Sequence, residues 1–84
     1  HQYTHVIAHG LSEFVEKLQK IDVKSVEFHI PRKDFENWVR SLGDVELAKR
    51  LDLIRNMHLR GEDLRTRVYE AAKHRLEELK RIHG

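Results

Sequence analysis

The sequence contains no cysteine, one proline, four glycines and one methionine among its 84 residues. Without cysteine the chain can form no disulfide, and it has no thiolate to act as a nucleophile or a metal ligand. No apolar run approaches the roughly 18 residues that cross a bilayer, and the N-terminal residues lack the pattern of a signal peptide. We therefore expect a cytoplasmic protein without a membrane segment.

Charged residues are abundant, but neither sign dominates. Lys and Arg number 16 and Asp and Glu number 14, which gives a formal net charge of +2. Hydrophobic residues make up 39% of the chain, recur at helical spacing and argue against disorder, while the length provides for one small domain. The scarcity of Asn, Gln and Met beside many ion-pairing residues favours a heat-adapted source.

Apolar residues at the i, i+3, i+4 and i+7 spacing predict an all-α fold. Residues 22–30 also alternate as a strand would, but no convincing second strand exists to pair with them. A short helix that is opened by Asp22 or Ser25 and ends before Pro31 is therefore favoured. The expected architecture is a compact bundle of four to five short helices with a longer C-terminal helix and an extended N-terminal arm. The predicted helices cover residues 12–21, 22–30, 34–42, 44–56 and 62–82.

Residues 1–10 show no helical period and end in a glycine, which predicts the extended arm. Residues 11–84 then form the single helical domain. Ser12 is the predicted N-cap of the first helix, because its hydroxyl can accept a hydrogen bond from a first-turn N–H. His1 is consistent with the remnant of an expression tag.

Two aspartates and one glycine are predicted to set the boundaries of the central helices. Asp34 and Asp44 are placed as N-caps, and Gly43 as the left-handed residue that ends the helix between them. Trp38 falls on the apolar stripe of that helix and is predicted to lie in the core.

Histidines are the candidate metal ligands. His1, His5 and His9 are spaced by four, which would align their imidazoles on a helix, but the segment is predicted to be extended and lacks a fixed fourth ligand. We expect no metal and no cofactor, although binding by these histidines stays an alternative. His29 lies in an apolar segment near Asp34; a packed, hydrogen-bonded role is favoured over a catalytic one, and it is the candidate functional polar residue.

The sequence contains no catalytic motif. Its glycines are isolated, so no phosphate-binding loop exists, and no His-Glu-x-x-His pair is present. A helical bundle of this size also has little volume for a pocket that buries a substrate. We expect no enzymatic activity, no catalytic residue and no small-molecule substrate.

The predicted C-terminal helix is the candidate partner-binding element. Its apolar stripe ends in Leu76, Leu79 and Ile82, which the shorter upstream helices would leave partly uncovered. A protein partner or a second copy of the chain could bind there. The alternative, in which the shorter helices cover the whole stripe, remains open.

Nucleic-acid binding is the alternative function. Arg32, Lys33, Lys49 and Arg50 could form a basic edge on two consecutive helices. Acidic residues interleave with these bases, whereas DNA binding requires a contiguous positive face. We therefore favour a small non-enzymatic interaction or regulatory module that binds protein.

Four short segments carry a family resemblance: Val-Glu-Phe-His at 26–29, Asp-Phe-Glu-Asn-Trp-Val-Arg at 34–40, Gly-Asp at 43–44 and Leu-Ala at 47–48. They resemble an uncharacterised prokaryotic, largely archaeal, domain-of-unknown-function family with a Phe-His … Asp-Phe-x-x-Trp … Gly-Asp-x-x-Leu-Ala pattern. The resemblance covers about residues 8–80. It implies a helical domain that occurs alone or attached to larger proteins, and it implies no reaction.

Overall fold

The computed structural model describes the backbone of residues 2–83 and the side chains of residues 6–81. Within residues 2–83 the chain forms five helices and no strand. The all-α bundle with a long C-terminal helix is confirmed. The helices are α1 (Gln2–Lys20), α2 (Val23–His29), α3 (Asp34–Leu42), α4 (Val45–Arg55) and α5 (Gly61–His83).

Helix α5 is the element around which the others assemble. Helices α1, α2 and α4 each pack on it, while α3 packs on α4 and α1. Its 23 residues span roughly 34 Å at 1.5 Å per residue, close to the longest dimension of the molecule, 36 Å. None of the helices described is both long and apolar enough to cross a membrane. The fully buried apolar residues are Leu11, Leu18, Val26, Val39, Leu47, Ala48, Leu51, Val68 and Ala72.

The predicted N-terminal arm is wrong, because residues 2–10 are the first half of α1. Ile7 continues the buried stripe of Leu11 one turn toward the N-terminus and is only 6% exposed. Burial of this face stabilises the helix despite the weak helix propensity of the β-branched residues in the segment. Ser12 therefore lies inside α1 and is not an N-cap.

Gly10 marks the close approach of α1 to α3. A glycine inside a helix costs roughly 0.5–1 kcal/mol relative to alanine. At this position a Cβ atom would lie 2.8 Å from the Cδ1 atom of Leu42. The missing side chain therefore lets the two helices pack against each other.

The full length of α1 explains how α5 is covered. Gln19 Nε2 donates a hydrogen bond to the Tyr69 hydroxyl at 3.0 Å, and Arg65 donates to the carbonyl of Ile21. These contacts join the C-terminal end of α1 to the N-terminal half of α5, so the two helices are antiparallel. The N-terminal half of α1 then reaches the C-terminal turns of α5, where Leu79 is 5% exposed.

Two of the predicted boundaries are confirmed. Asp22 caps α2 and accepts a hydrogen bond from the backbone N–H two residues later at 2.9 Å. The helix ends at His29, before Pro31, so this segment is a helix rather than a strand. Gly43 adopts a left-handed φ of 103° and ends α3, a conformation that glycine reaches without steric cost.

Only one of the two aspartates predicted as N-caps occupies that position. Lys33, with a left-handed φ of 64°, precedes α3 and makes no capping hydrogen bond. Asp34 is instead the first helical residue, and its carboxylate binds the side chains of His29 and Arg32. Asp44 is the N-cap of α4, as predicted, and accepts the backbone N–H three residues later at 3.1 Å.

Trp38 does not lie in the core, since 39% of it is exposed. Helix α3 is rotated so that Glu36 and Val39 face inward, with Trp38 at the edge. The rotation places the Glu36 carboxylate, only 6% exposed, against Arg55 of α4, whose Nε donates to it at 2.9 Å. The side of α3 that faces the bundle thus carries a hydrogen-bonded ion pair, whereas the apolar pattern predicted that Trp38 would face the core.

An ionic network joins α4 to α5. Arg75 Nε donates to both carboxylate oxygens of Asp44, at 3.1 and 3.0 Å, and Arg50 Nη2 donates to Glu78 at 2.9 Å. The hydrogen bond from Arg50, followed by that from Arg75, lowers the pKa of the Glu78 carboxyl below its ordinary value of 4.5. The ionised form of Glu78 is therefore the one that the fold stabilises.

We expect the Glu78 network to make folding stability sensitive to acid. Because the pKa of Glu78 is lower in the folded state, its stabilisation is complete above pH 4.5 and is lost as the pH falls through the lowered value. Urea midpoints measured from about pH 6 to about pH 3 should therefore fall less steeply in Glu78→Gln than in the wild type. Glu77→Gln, at an exposed neighbouring position, is the control and should keep the wild-type profile. Parallel profiles for Glu78→Gln and the wild type would contradict this assignment.

Candidate binding surface

Five rings from three helices form a continuous row, which we call the aromatic row. Neighbouring ring centroids along it are 5.1, 5.3, 5.2 and 5.2 Å apart. These separations lie in the range of favourable ring pairs, so the row packs as one unit. In order, its members are Phe28, His29, Phe35, Phe14 and Trp38.

The two ends of the row are exposed to solvent, 57% for Phe28 and 39% for Trp38. Phe14, an inner member of the row, is only 6% exposed and packs between Phe35 and Trp38. Phe28 follows the buried Val26 by two residues, which places it nearly on the opposite side of α2. The Arg32 guanidinium lies over the Phe28 ring, 4.8 Å from its centroid. This end of the row therefore presents an aromatic ring together with a cation.

His29 and Asp34 hold the turn between α2 and α3. His29 Nδ1 lies 2.8 Å from Asp34 Oδ2, and Arg32 Nε donates to the same oxygen at 3.1 Å. The hydrogen bonds from His29 and then Arg32 lower the pKa of the Asp34 carboxyl below its ordinary value of 3.8. An ionised carboxylate only accepts, so His29 Nδ1 carries the proton of this hydrogen bond. The predicted hydrogen-bonded role of His29 agrees with this geometry.

A shallow groove of about 210 Å³ lies beside Trp38, between α1 and α3. Its floor is aromatic, formed by Phe14 and Phe35, and its edge carries Glu13 and Lys17. His9 Nε2 lies 2.8 Å from Glu13 Oε1. Lys17, in contrast, makes no ion pair with any carboxylate among the described side chains. The groove can therefore take an apolar side chain and place a carboxylate beside the Lys17 ammonium.

The predicted partner-binding leucines do not form an exposed surface. Leu76 is 7% and Leu79 is 5% exposed, because both belong to the core of the bundle. The side chain of Ile82 lies outside the described residues. The expectation that the upstream helices leave Leu76 and Leu79 uncovered is wrong. It assumed a first helix of residues 12–21, which is about half the length of α1.

The four residues predicted for nucleic-acid contacts are divided between two places. Arg32 and Lys33 are exposed at the turn between α2 and α3, and Arg32 is paired with Asp34. Lys49 is exposed on α4, while Arg50 is paired with carboxylates on α4 and α5. Two of the four cations are thus neutralised by neighbouring carboxylates.

The histidines predicted as alternative metal ligands fall largely outside the described side chains. The side chains of His1 and His5 are not described. The side chain of His9 is exposed and contacts Glu13. Among the side chains of residues 6–81, no group of three His, Cys, Asp or Glu residues is arranged to hold a metal ion.

The model of a family of unknown function, DUF5752, matches residues 1–73. The chain belongs to this family. The match contains the whole aromatic row and stops before Leu76, so the DUF5752 region includes the exposed rings and excludes the last turns of α5. No curated protein and no solved structure is significantly similar to the chain.

Membership in DUF5752 confirms the predicted resemblance to a domain-of-unknown-function family. The motif pattern and the archaeal source remain predictions. The pattern contains four members of the aromatic row, namely Phe28, His29, Phe35 and Trp38, of which Trp38 was predicted to lie in the core. The exposure of Phe28 was accessible from the spacing, because Val26 and Ile30 define the buried side of α2 and Phe28 lies opposite.

Proposed function

We propose that this protein is a non-enzymatic interaction module of the cytoplasm that binds a partner protein through the aromatic row. The exposure of Phe28 and Trp38 at the ends of a packed row carries the proposal. Aromatic side chains and arginine are enriched in protein interfaces, where they become anchors once water is removed. Arg32 over Phe28 supplies the second of these residue types at the same place.

The groove beside Trp38 defines the chemistry of the partner. An aromatic floor favours an aliphatic or aromatic side chain, and the unpaired Lys17 ammonium at the edge favours an adjacent carboxylate. The partner is therefore a protein segment with an apolar anchor residue next to an Asp or Glu. Because Phe14 and Phe35 already pack under the groove, binding requires little rearrangement of the module.

Nucleic-acid binding is the second candidate. One observation favours it, namely that exposed rings and the cations Arg32 and Lys33 lie close together, as they do where single-stranded bases stack. The pairing of Arg32 with Asp34 and of Arg50 with Glu46 and Glu78 favours a protein partner instead, since these carboxylates would repel phosphates.

We expect Phe28→Ala to weaken partner binding without unfolding the module. Proteins captured from the native host by the wild type would be identified, purified and titrated, with the emission of Trp38, the single tryptophan, as the signal. Loss of an exposed aromatic anchor should lower the affinity at least about tenfold, whereas a Phe with 57% exposure contributes little to folding.

Leu53→Ala is the matched control, because Leu53 is 64% exposed but lies on α4, which carries no member of the row. It should bind the purified partner like the wild type. Equal affinities of Phe28→Ala and Leu53→Ala would contradict the proposal. Saturable binding of mixed-sequence single-stranded DNA that weakens steeply with salt would support the nucleic-acid function instead.

A further inference from the structure

A second concave surface lies beside the C-terminal ends of α2 and α4. This cleft has a volume of about 490 Å³, which is in the range of small-molecule sites. Ile30, Ile54 and Leu64 form its floor and are each at most 4% exposed. None of the five members of the aromatic row lines the cleft, so the two surfaces are independent.

The rim of the cleft is predominantly basic. Arg55, His58 and Arg60 line it, against the single carboxylate of Glu27. Arg55 is occupied by Glu36 and Asp52, but neither His58 nor Arg60 makes an ion pair with a carboxylate among the described side chains. Two basic side chains thus face an apolar floor without a counter-charge of their own.

The one carboxylate of the rim has a structural partner. Glu27 Oε2 accepts a hydrogen bond from the backbone N–H of Gly61 at 2.8 Å, at the positive N-terminal end of α5. This contact ties α2 to the connection that carries His58 and Arg60. This hydrogen bond therefore holds Glu27 at one side of the rim against the start of α5.

We propose that the cleft binds a small amphipathic carboxylate, with its hydrocarbon part on the Ile30–Ile54–Leu64 floor and its carboxylate beside Arg60 and His58. Burial of the hydrocarbon against the half-buried Leu59 and over this floor provides the affinity. The arginine provides the selectivity, because its planar fork donates two parallel hydrogen bonds to a carboxylate. A cation or a neutral molecule of the same shape gains only the free energy of hydrocarbon burial and not the two hydrogen bonds from the arginine.

Three probes of six carbon atoms each test this site: hexanoate, hexanol and hexylammonium. Each is titrated into the full chain while the backbone amide signals are followed by NMR. Hexanoate should give saturable shifts at Ile30, Ile54, Leu59 and Leu64, and it should bind at least about fivefold more tightly than hexylammonium. Shifts outside the cleft, or equal binding of the three probes, would overturn the proposal.

Two variants separate the head group from the tail. Arg60→Gln should weaken hexanoate at least about fivefold and leave hexanol unchanged, since only the carboxylate contact is lost. Arg67→Gln, at an exposed position of α5 that does not line the cleft, should leave both unchanged. If Arg60→Gln binds hexanoate as the wild type does, the assignment of the carboxylate to Arg60 is wrong. Phe28→Ala should not affect hexanoate, which keeps this result separate from the test of the aromatic row.

Discussion

Replacement of Asp44 by alanine is expected to lower the free energy of unfolding by about 3–5 kcal/mol. The Asp44 side chain is fully buried, caps the first turn of α4 and accepts two hydrogen bonds from Arg75 of α5. Alanine removes the cap and leaves the Arg75 guanidinium without its buried counter-charge. Urea unfolding followed by circular dichroism measures the loss.

Two further aspartate variants separate the parts of this effect. Asp44→Asn retains an oxygen for the backbone N–H of Leu47 but removes the charge, so its loss should be smaller than that of alanine. Asp22→Ala removes an exposed N-cap that makes no ion pair with the side chains of residues 6–81, and it should cost only about 0.5–2 kcal/mol. A loss for Asp44→Ala no greater than that for Asp22→Ala would show that the Arg75 contact adds nothing.

Leu79→Glu is expected to destabilise the isolated chain by at least about 3 kcal/mol. The substitution removes the burial of a leucine that is 5% exposed, and it places a carboxylate among the apolar residues of the core. Because this burial is intramolecular, the urea midpoint should shift equally at protein concentrations of about 10 and about 200 μM. A shift that appears only at the higher concentration would restore self-association through α5.

Leu53→Glu is the matched control, with the same chemical change on α4. Leu53 is 64% exposed, so its free energy of unfolding should stay within about 0.5 kcal/mol of the wild type. Similar losses at the two positions would mean that the burial of Leu79 is not what stabilises the end of α5.

The helices themselves were largely predictable because their signals are local. Apolar spacing defined the buried stripes, Asp22 and Asp44 supplied capping oxygens, and Gly43 supplied the left-handed turn. Each of these signals acts within about one turn of the chain and needs no knowledge of the partner helix. The strand alternative for residues 22–30 was rejected on a different ground, because no second segment of the chain could serve as its hydrogen-bonding partner.

The errors arose where a distant residue decided the outcome. The first ten residues show weak local helix signals, and their helical conformation depends on burial of Ile7 against the bundle. An α1 predicted too short then made the α5 stripe appear uncovered, which led to the partner site at Leu76 and Leu79. The N-cap assigned to Asp34 failed similarly, because the carboxylate is bound by His29 and Arg32.

The sequence by itself determined the fold class, the helix order, the family and the absence of a cysteine-based chemistry. Only the tertiary structure decided which side chains are exposed. Glu36 faces inward and Trp38 lies at the edge, and the half-buried Arg55 on the next helix provides Glu36 with a counter-charge that no pattern within α3 reveals. The aromatic row likewise joins rings from three helices, and its exposed ends depend on how those helices are rotated against one another.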